Sequence, residues 1–235
     1  MISIVEYPPD WGFGNRLLYY NNLRQLAEKH HDSWSTVPFE GWSHFKDSVQ
    51  YSRGANNILR PCLGEKFFEE HCVSTRKIFR LIDEPDVPDN TAAIHFRGTD
   101  FFQWNSKAVL DAEYYLNAIE EIKDDVSSFI LFADDTSLPS FNRITKYLYD
   151  NDISFEYGEN SNDRSNYIND FRKMCFCDYI ISSPSTYNIC AGFIGKHKKI
   201  IHSDEWVRER CYLEDKFWCD LYNGGNYDYK LWRLI

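Results

Sequence analysis

Between Ala92 and His202 short apolar runs alternate with stripes of helical period, and that alternation restricts the fold more than any other feature. AAIHF (92–96) reads as a strand. Asp111 then reads as a helix N-cap, with Tyr115, Ala118, Ile119 and Ile122 following at i, i+3, i+4, i+7. SFILFA (128–133) is a second strand. Phe141, Ile144 and Leu148 mark another helix, and ISFEY (153–157) a third strand. Phe171, Met174 and Cys175 predict a helix, DYIIS (178–182) a strand, Ser185 to Ile194 a helix, and KKIIH (198–202) a closing strand. Strands separated by helices pair side by side in parallel, so the pattern predicts a doubly wound α/β sheet.

Upstream the pattern is weaker. ISIVEY reads as a first strand and Arg16 to Lys29 as a helix, whereas His30 to Arg60 shows no assignable element. IDEPDVPDNT (82–91), with two prolines and four acids, is the natural boundary. It divides the chain into an N-terminal α/β lobe over 1–88 and a C-terminal lobe over 89–235. Length permits this, since 235 residues bury a sizeable core in one large domain or two small ones.

Composition excludes some functions. Aromatics at 17% rule out a long disordered chain. A net charge of −10 argues against a broad basic face for nucleic acid or anionic membrane. No apolar run approaches the ~20 residues of a membrane span. The N-terminus carries no basic segment, so a soluble, cytoplasmic protein is expected. Seven cysteines, an odd number, are expected to be reduced thiols, and Cys175 and Cys177 are too close for the usual metal pair.

Three of the strands end in polar clusters: His95-Phe-Arg97-Gly98-Thr99-Asp100, Asp134-Asp135-Thr136-Ser137, and Ser182-Ser183-Pro184-Ser185-Thr186-Tyr187. In an open parallel sheet ligands bind beyond the carboxyl ends of the strands. An arginine fork and a hydroxyl-rich turn opening a helix both suit phosphate oxygens. Carboxylates suit ribose hydroxyls or the N–H edge of guanine. The bland readings are that Asp134-Asp135 caps a helix, that His95 is a core histidine, and that Ser182 to Ser185 is an ordinary loop. Gly12-Phe-Gly14-Asn15-Arg16 is a second glycine turn, without the third glycine of a Rossmann fingerprint or a P-loop. It predicts a tight turn or a close backbone approach.

These same residues carry a resemblance. HFRGTD resembles the H-x-R-x-x-D motif of the α1,2-, α1,6- and protein O-fucosyltransferase superfamily. GFGNRLLYY is similar to that superfamily's glycine-rich start, FADDTSL to its strand followed by Asp-Asp, and DFRKMCFCDYIISSPSTYNICAGF to its closing donor-site motif. The four blocks occur in order over about residues 10–195. Two departures stand out: Gly98 replaces a second arginine, and Arg16 replaces the usual glutamine.

The resemblance implies a GT-B-like architecture of two Rossmann-like lobes, with a parallel sheet in the C-terminal one. It implies a nucleotide-sugar donor, GDP-fucose, held by the C-terminal lobe, and a glycan acceptor on the trimmed N-terminal lobe. Transfer would invert the anomeric carbon, with no metal or other cofactor. Arg97 would hold the β-phosphate. His95 and Asp170 would face the nucleoside, Asp170 reading guanine. Asp100, Asp134 and Asp135 would support the arginine and the ribose side. Ser185 and Thr186 would bond the phosphates, while Gly14, Asn15 and Arg16 would line the cleft from the other lobe. Residues 206–235 are expected to pack back on the first lobe.

Charge developing on the leaving diphosphate would be met by prearranged groups. Asp10, Asp100, Asp111 and Glu113 are candidate bases for the acceptor hydroxyl. Asp150 and Asp152 form a D-x-D pair, read as a solvated loop. Most tryptophans read as core, with Trp104 singled out as a sugar-stacking surface. Another nucleotide sugar (xylosyl, rhamnosyl or mannosyl) and a non-catalytic nucleotide- or glycan-binding module are the alternatives.

Overall fold

The structure, a computed structural model, describes residues 1–46, 57–58, 79–159, 166–212 and 232–235. Two parallel sheets organise these residues. In the first, β1 (Ile2–Ile4) is flanked by β2 (Trp34–Thr36) and β3 (Asn57–Ile58). Helix α1 (Phe13–Lys29) connects β1 to β2.

The second sheet has the order β6-β5-β4-β7-β8-β9, every pair parallel. Its strands are β4 (Thr91–Phe96), β5 (Ser128–Ala133), β6 (Phe155–Tyr157), β7 (Tyr179–Ile181), β8 (Lys199–His202) and β9 (Trp232–Leu234). The chain winds outward from β4 to β6, crosses back beside β4, and winds the other way to β9. This is the doubly wound order of mononucleotide-binding folds, with its reversal between β4 and β7. Central β4 is buried along its whole length, as a strand covered on both faces must be.

The connecting helices follow the apolar stripes. After the short α2 (Phe101–Trp104), α3 (Ala112–Ile122) starts where Asp111 accepts a hydrogen bond from the Tyr114 amide at 3.2 Å, and buries Tyr115, Ala118, Ile119 and Ile122. Helix α4 (Pro139–Asp150) opens with proline at its first position and buries Phe141, Ile144 and Leu148. Helix α5 (Tyr167–Phe176) buries Phe171, Met174 and Cys175. Helix α6 (Thr186–Ile194) is buried from Asn188 onward, because it packs against both α1 and α5. Helix α7 (Asp204–Tyr212) follows β8.

The sheets meet through α1 and α6. Phe13 packs edge-on against Phe171, with ring centroids 4.9 Å apart, and also meets Tyr167 and Tyr187. Behind it Tyr20, Phe39, Trp42, Phe45 and Phe79 form an aromatic cluster. Leu81 bridges to Phe45 just before the Pro-rich segment.

Three expectations change. Helix α1 starts at Phe13, not Arg16, because Gly12 is itself the N-cap and its carbonyl receives the Arg16 amide. The C-terminal strand β9 pairs with β8 in the second sheet instead of returning to the first. That pairing gives β8 a hydrogen-bonded neighbour on its outer edge. The segment His30 to Arg60 does hold structure, namely β2, a 3-10 turn at Trp42–His44, and β3. The Gly224-Gly225 turn and Trp218 lie outside the described residues.

Candidate functional site

The carboxyl ends of β5, β4 and β7 lie side by side and bring the three polar clusters together. The point of reversal is bridged directly: His95 Nδ1, at the end of β4, lies 2.7 Å from Ser183 Oγ beyond β7. His95 is buried, and burial plus the charge of Arg97 push its pKa down to about 3. The imidazole is therefore neutral across the physiological range. Its ring lies 5.4 Å from that of Tyr187.

Arg97 points outward from the same strand end. Its Nη2 donates to Asp100 at 2.8 Å, its Nε lies 3.2 Å from Asp134, and its guanidinium rests over the Phe101 ring. The two carboxylates differ in kind. Asp134 is 6% exposed and also accepts from the Gly98 amide (2.8 Å) and the Thr99 hydroxyl (2.6 Å), so it pins the β4–α2 loop. Asp100 is 57% exposed and rests on the surface.

Asp135 behaves differently from its neighbour. It accepts from the amide and hydroxyl of Ser137, which lowers its pKa and caps the turn leading to α4. Asp170 is buried in the first turn of α5 and accepts from the Glu159 amide at 2.8 Å. A Cβ on Gly158 would lie 3.0–3.1 Å from its carboxylate oxygens, so the β6 end presses on it. Ser185 is the N-cap of α6 and accepts from the Tyr187 amide.

Thr186, expected at the phosphates, is engaged by α1. Its hydroxyl donates to Asn15 Oδ1 at 2.8 Å, so its proton is used to tie α6 to α1. Gly14 shows why a glycine stands there: a Cβ would fall 2.5 Å from the Tyr187 nitrogen and 2.6 Å from the Thr186 carbonyl carbon. The close backbone approach read from the glycine turn is this contact. Arg16 follows in the same turn of α1, and its Nε is sealed from solvent without a partner.

Two of the candidate bases are otherwise engaged. Asp111 caps α3, and Glu113 pairs with Arg143 at 3.3 Å. Asp150 pairs with Lys146, and Asp152 occupies a left-handed turn. Both precede β6 and so lie at the opposite edge of the sheet from the clusters. Trp104 is 57% exposed and packs on Phe101 and Trp206, whereas Trp42 and Trp206 are core. Cys175, Cys177 and Cys190 are free, buried thiols. No helix among the described residues is long and apolar enough to cross a membrane.

Sequence reasoning missed several supporting residues. Tyr114 on α3 donates to the Ser182 carbonyl at 2.7 Å and the Ile201 carbonyl at 3.1 Å. Asn188 donates to the Ser182 hydroxyl. Tyr187 donates to the Tyr167 carbonyl. Ser183 was in view as part of a hydroxyl-rich turn, but nothing local marked it as the partner of His95.

A scan against protein-family models finds no match, and searches of curated proteins and of solved structures also find none.

Proposed function

We propose that this chain is an inverting glycosyltransferase that moves fucose from GDP-fucose to a hydroxyl of a glycan acceptor. The observation that carries the reading is the meeting of His95, Arg97 and the Ser183–Ser185 turn at the reversal point of a doubly wound sheet, opposite the glycine turn of α1. Nucleotides bind at such a point in folds of this order. The ordered resemblance to the fucosyltransferase superfamily supplies the sugar and the reaction. In this reading the two sheets are the two lobes of a GT-B-like enzyme.

The donor's diphosphate lies over the β4 and β7 ends. Arg97 takes a β-phosphate oxygen through the Nη2 that Asp100 occupies in the free protein, while buried Asp134 keeps hold of Nε. Neutral His95 offers a hydrogen bond without adding charge. The Ser185 turn faces the phosphates, and Asp170 accepts from the guanine edge. Thr186 and Asn15 hold the lobes in register. As the anomeric bond breaks, charge grows on the leaving diphosphate, and a prearranged cation there is worth about 3–4 kcal/mol, or ~10²–10³ in rate. No metal is required by this scheme.

One observation favours a different nucleotide sugar as the second reading. Gly98 stands where the superfamily carries a second arginine, and a Cβ there would collide with the Leu138 side chain. The site is thus built around one fewer cation on that loop.

GDP release from GDP-fucose with a panel of glycan acceptors tests the proposal. Arg97→Ala should cut turnover at least a hundredfold while leaving the melting temperature within a few degrees. Full activity in that variant would overturn the role given to Arg97.

A further inference from the structure

We infer that Arg16 is a second cation, beside Arg97, for the anionic part of the ligand, binding it from the side of α1, and that this anion is a diphosphate. The inference rests on the nucleotide-sugar reading for the identity of the ligand, but its structural basis is separate.

Charge balance comes first. Arg97 is already held by two carboxylates, so the Arg97–Asp100–Asp134 group carries a net negative charge before any ligand arrives. A dianionic diphosphate approaching it meets repulsion as well as attraction. Four other arginines are also committed. Arg24 donates to Tyr20 and lies over Trp34; Arg143, Arg172 and Arg208 bind Glu113, Asp83 and Asp204.

Arg16 differs in its partners: it makes no ion pair or side-chain hydrogen bond with a described residue, and its Nε, like those of Arg97 and Arg172, is shielded from solvent without a hydrogen-bond partner. Burying a donor of a charged group without a partner is unfavourable, and a bound anion would relieve it. The chain is acidic overall, yet no carboxylate among the described residues pairs with this group.

Position completes the argument. Gly14 lies against the backbone of Thr186 and Tyr187, and Asn15 bonds Thr186, so Arg16 stands one residue from the junction of the two sheets. Its charge acts on Tyr7, beyond β1, and on Tyr167, at the start of α5. Tyr167 accepts from Tyr187, whose ring neighbours His95. Arg16 thus follows directly on the two residues of α1 that touch α6, the helix opened by the Ser185 turn, and adds a second cation beside Arg97.

Isothermal calorimetry of the full chain with pyrophosphate and with GDP, in EDTA, tests this. Arg16→Gln should weaken both ligands at least tenfold. Arg16→Lys should recover part of the loss, because a point charge replaces the fork. Arg24→Gln, on the same helix, should bind like the wild type. Unchanged affinity for both ligands in Arg16→Gln, with a native melting curve, overturns the inference and leaves the nucleotide reading standing. Arg16-dependent binding of pyrophosphate with no added affinity for GDP keeps the anion site and removes the nucleotide. Binding of neither ligand by the wild type overturns both. Should Arg16→Gln fold poorly, Arg16→Met, which keeps the apolar stem, takes its place, and wild-type affinity for both ligands in the folded variant overturns the inference.

Discussion

Replacing Gly14 by alanine tests the junction on which the site depends. The new Cβ would sit 2.5 Å from the Tyr187 nitrogen, 2.6 Å from the Thr186 carbonyl carbon and 2.7 Å from Thr186 Oγ1, where ordinary contact begins at 3.4 Å. Two of the three atoms are backbone on a buried helix, so no side chain can swing away. Relief requires α1 and α6 to separate by about 1 Å, the difference between 3.4 and 2.5. Alanine gains about 1 kcal/mol of helix propensity over glycine. Overpacking of this kind costs about 1–3 kcal/mol and occasionally more, so the clash equals or exceeds the gain. At ~2–4 °C per kcal/mol for a chain of this size, Gly14→Ala should melt up to about 8 °C below the wild type. The same separation strains the Thr186–Asn15 hydrogen bond and moves Arg16 away from the second sheet. A misplacement of 1 Å can cost ~10²-fold in rate, so nucleotide binding and turnover should fall together. Gly12→Ala is the control, because a Cβ there meets nothing within 4 Å. Calorimetric melting of both variants reads the result. Gly14→Ala melting at or above the wild type, with undiminished GDP affinity, would refute the reasoning.

Two further predictions concern charge. His95 and His202 are both buried with pKa values pushed from 6.5 to about 3, so between those limits the unfolded chain takes up protons that the folded chain refuses. Their stabilising effect is complete above pH 6.5 and is lost as pH falls toward 3, at roughly 1.4 kcal/mol per pH unit for each histidine. Urea midpoints measured from pH 7 to 5 should fall more shallowly for His95→Gln than for the wild type, and identical slopes would contradict the neutral, buried assignment. Asp100→Asn removes the exposed carboxylate that competes for Arg97, so GDP should bind several-fold more tightly; weaker binding would show that Asp100 supports the arginine instead of blocking it.

The second sheet was readable because its strands are apolar runs bounded by polar turns. SFILFA coincides with β5, and Ser185 with the cap of α6. The first sheet was not, because WST and NI are too short to show a period of two. Gly12-Phe13-Gly14 read as a turn, although Phe13 belongs to α1 and packs against Phe171 of α5. The candidate site was legible as a set of clusters but not as a set of pairings. Asp134 reaches Gly98 across 36 residues, and Thr186 reaches Asn15 across 171, separations with no local signature. The resemblance implied that Asp134 supports the arginine, and Asp134 does lie against Arg97 Nε; its further bonds to Gly98 and Thr99, and the bond from Thr186 to Asn15, had no local signature.

Calorimetric titration of the purified chain with GDP, UDP and GDP-fucose, in EDTA, addresses the central claim most directly. The account predicts metal-free binding of GDP and GDP-fucose with little affinity for UDP. Preference for UDP would keep the fold and the role of Arg97 but contradict the fucosyl reading and Asp170 as the reader of guanine. Absence of binding by any of the three would contradict the assignment of a nucleotide-sugar site at the β4–β7 reversal.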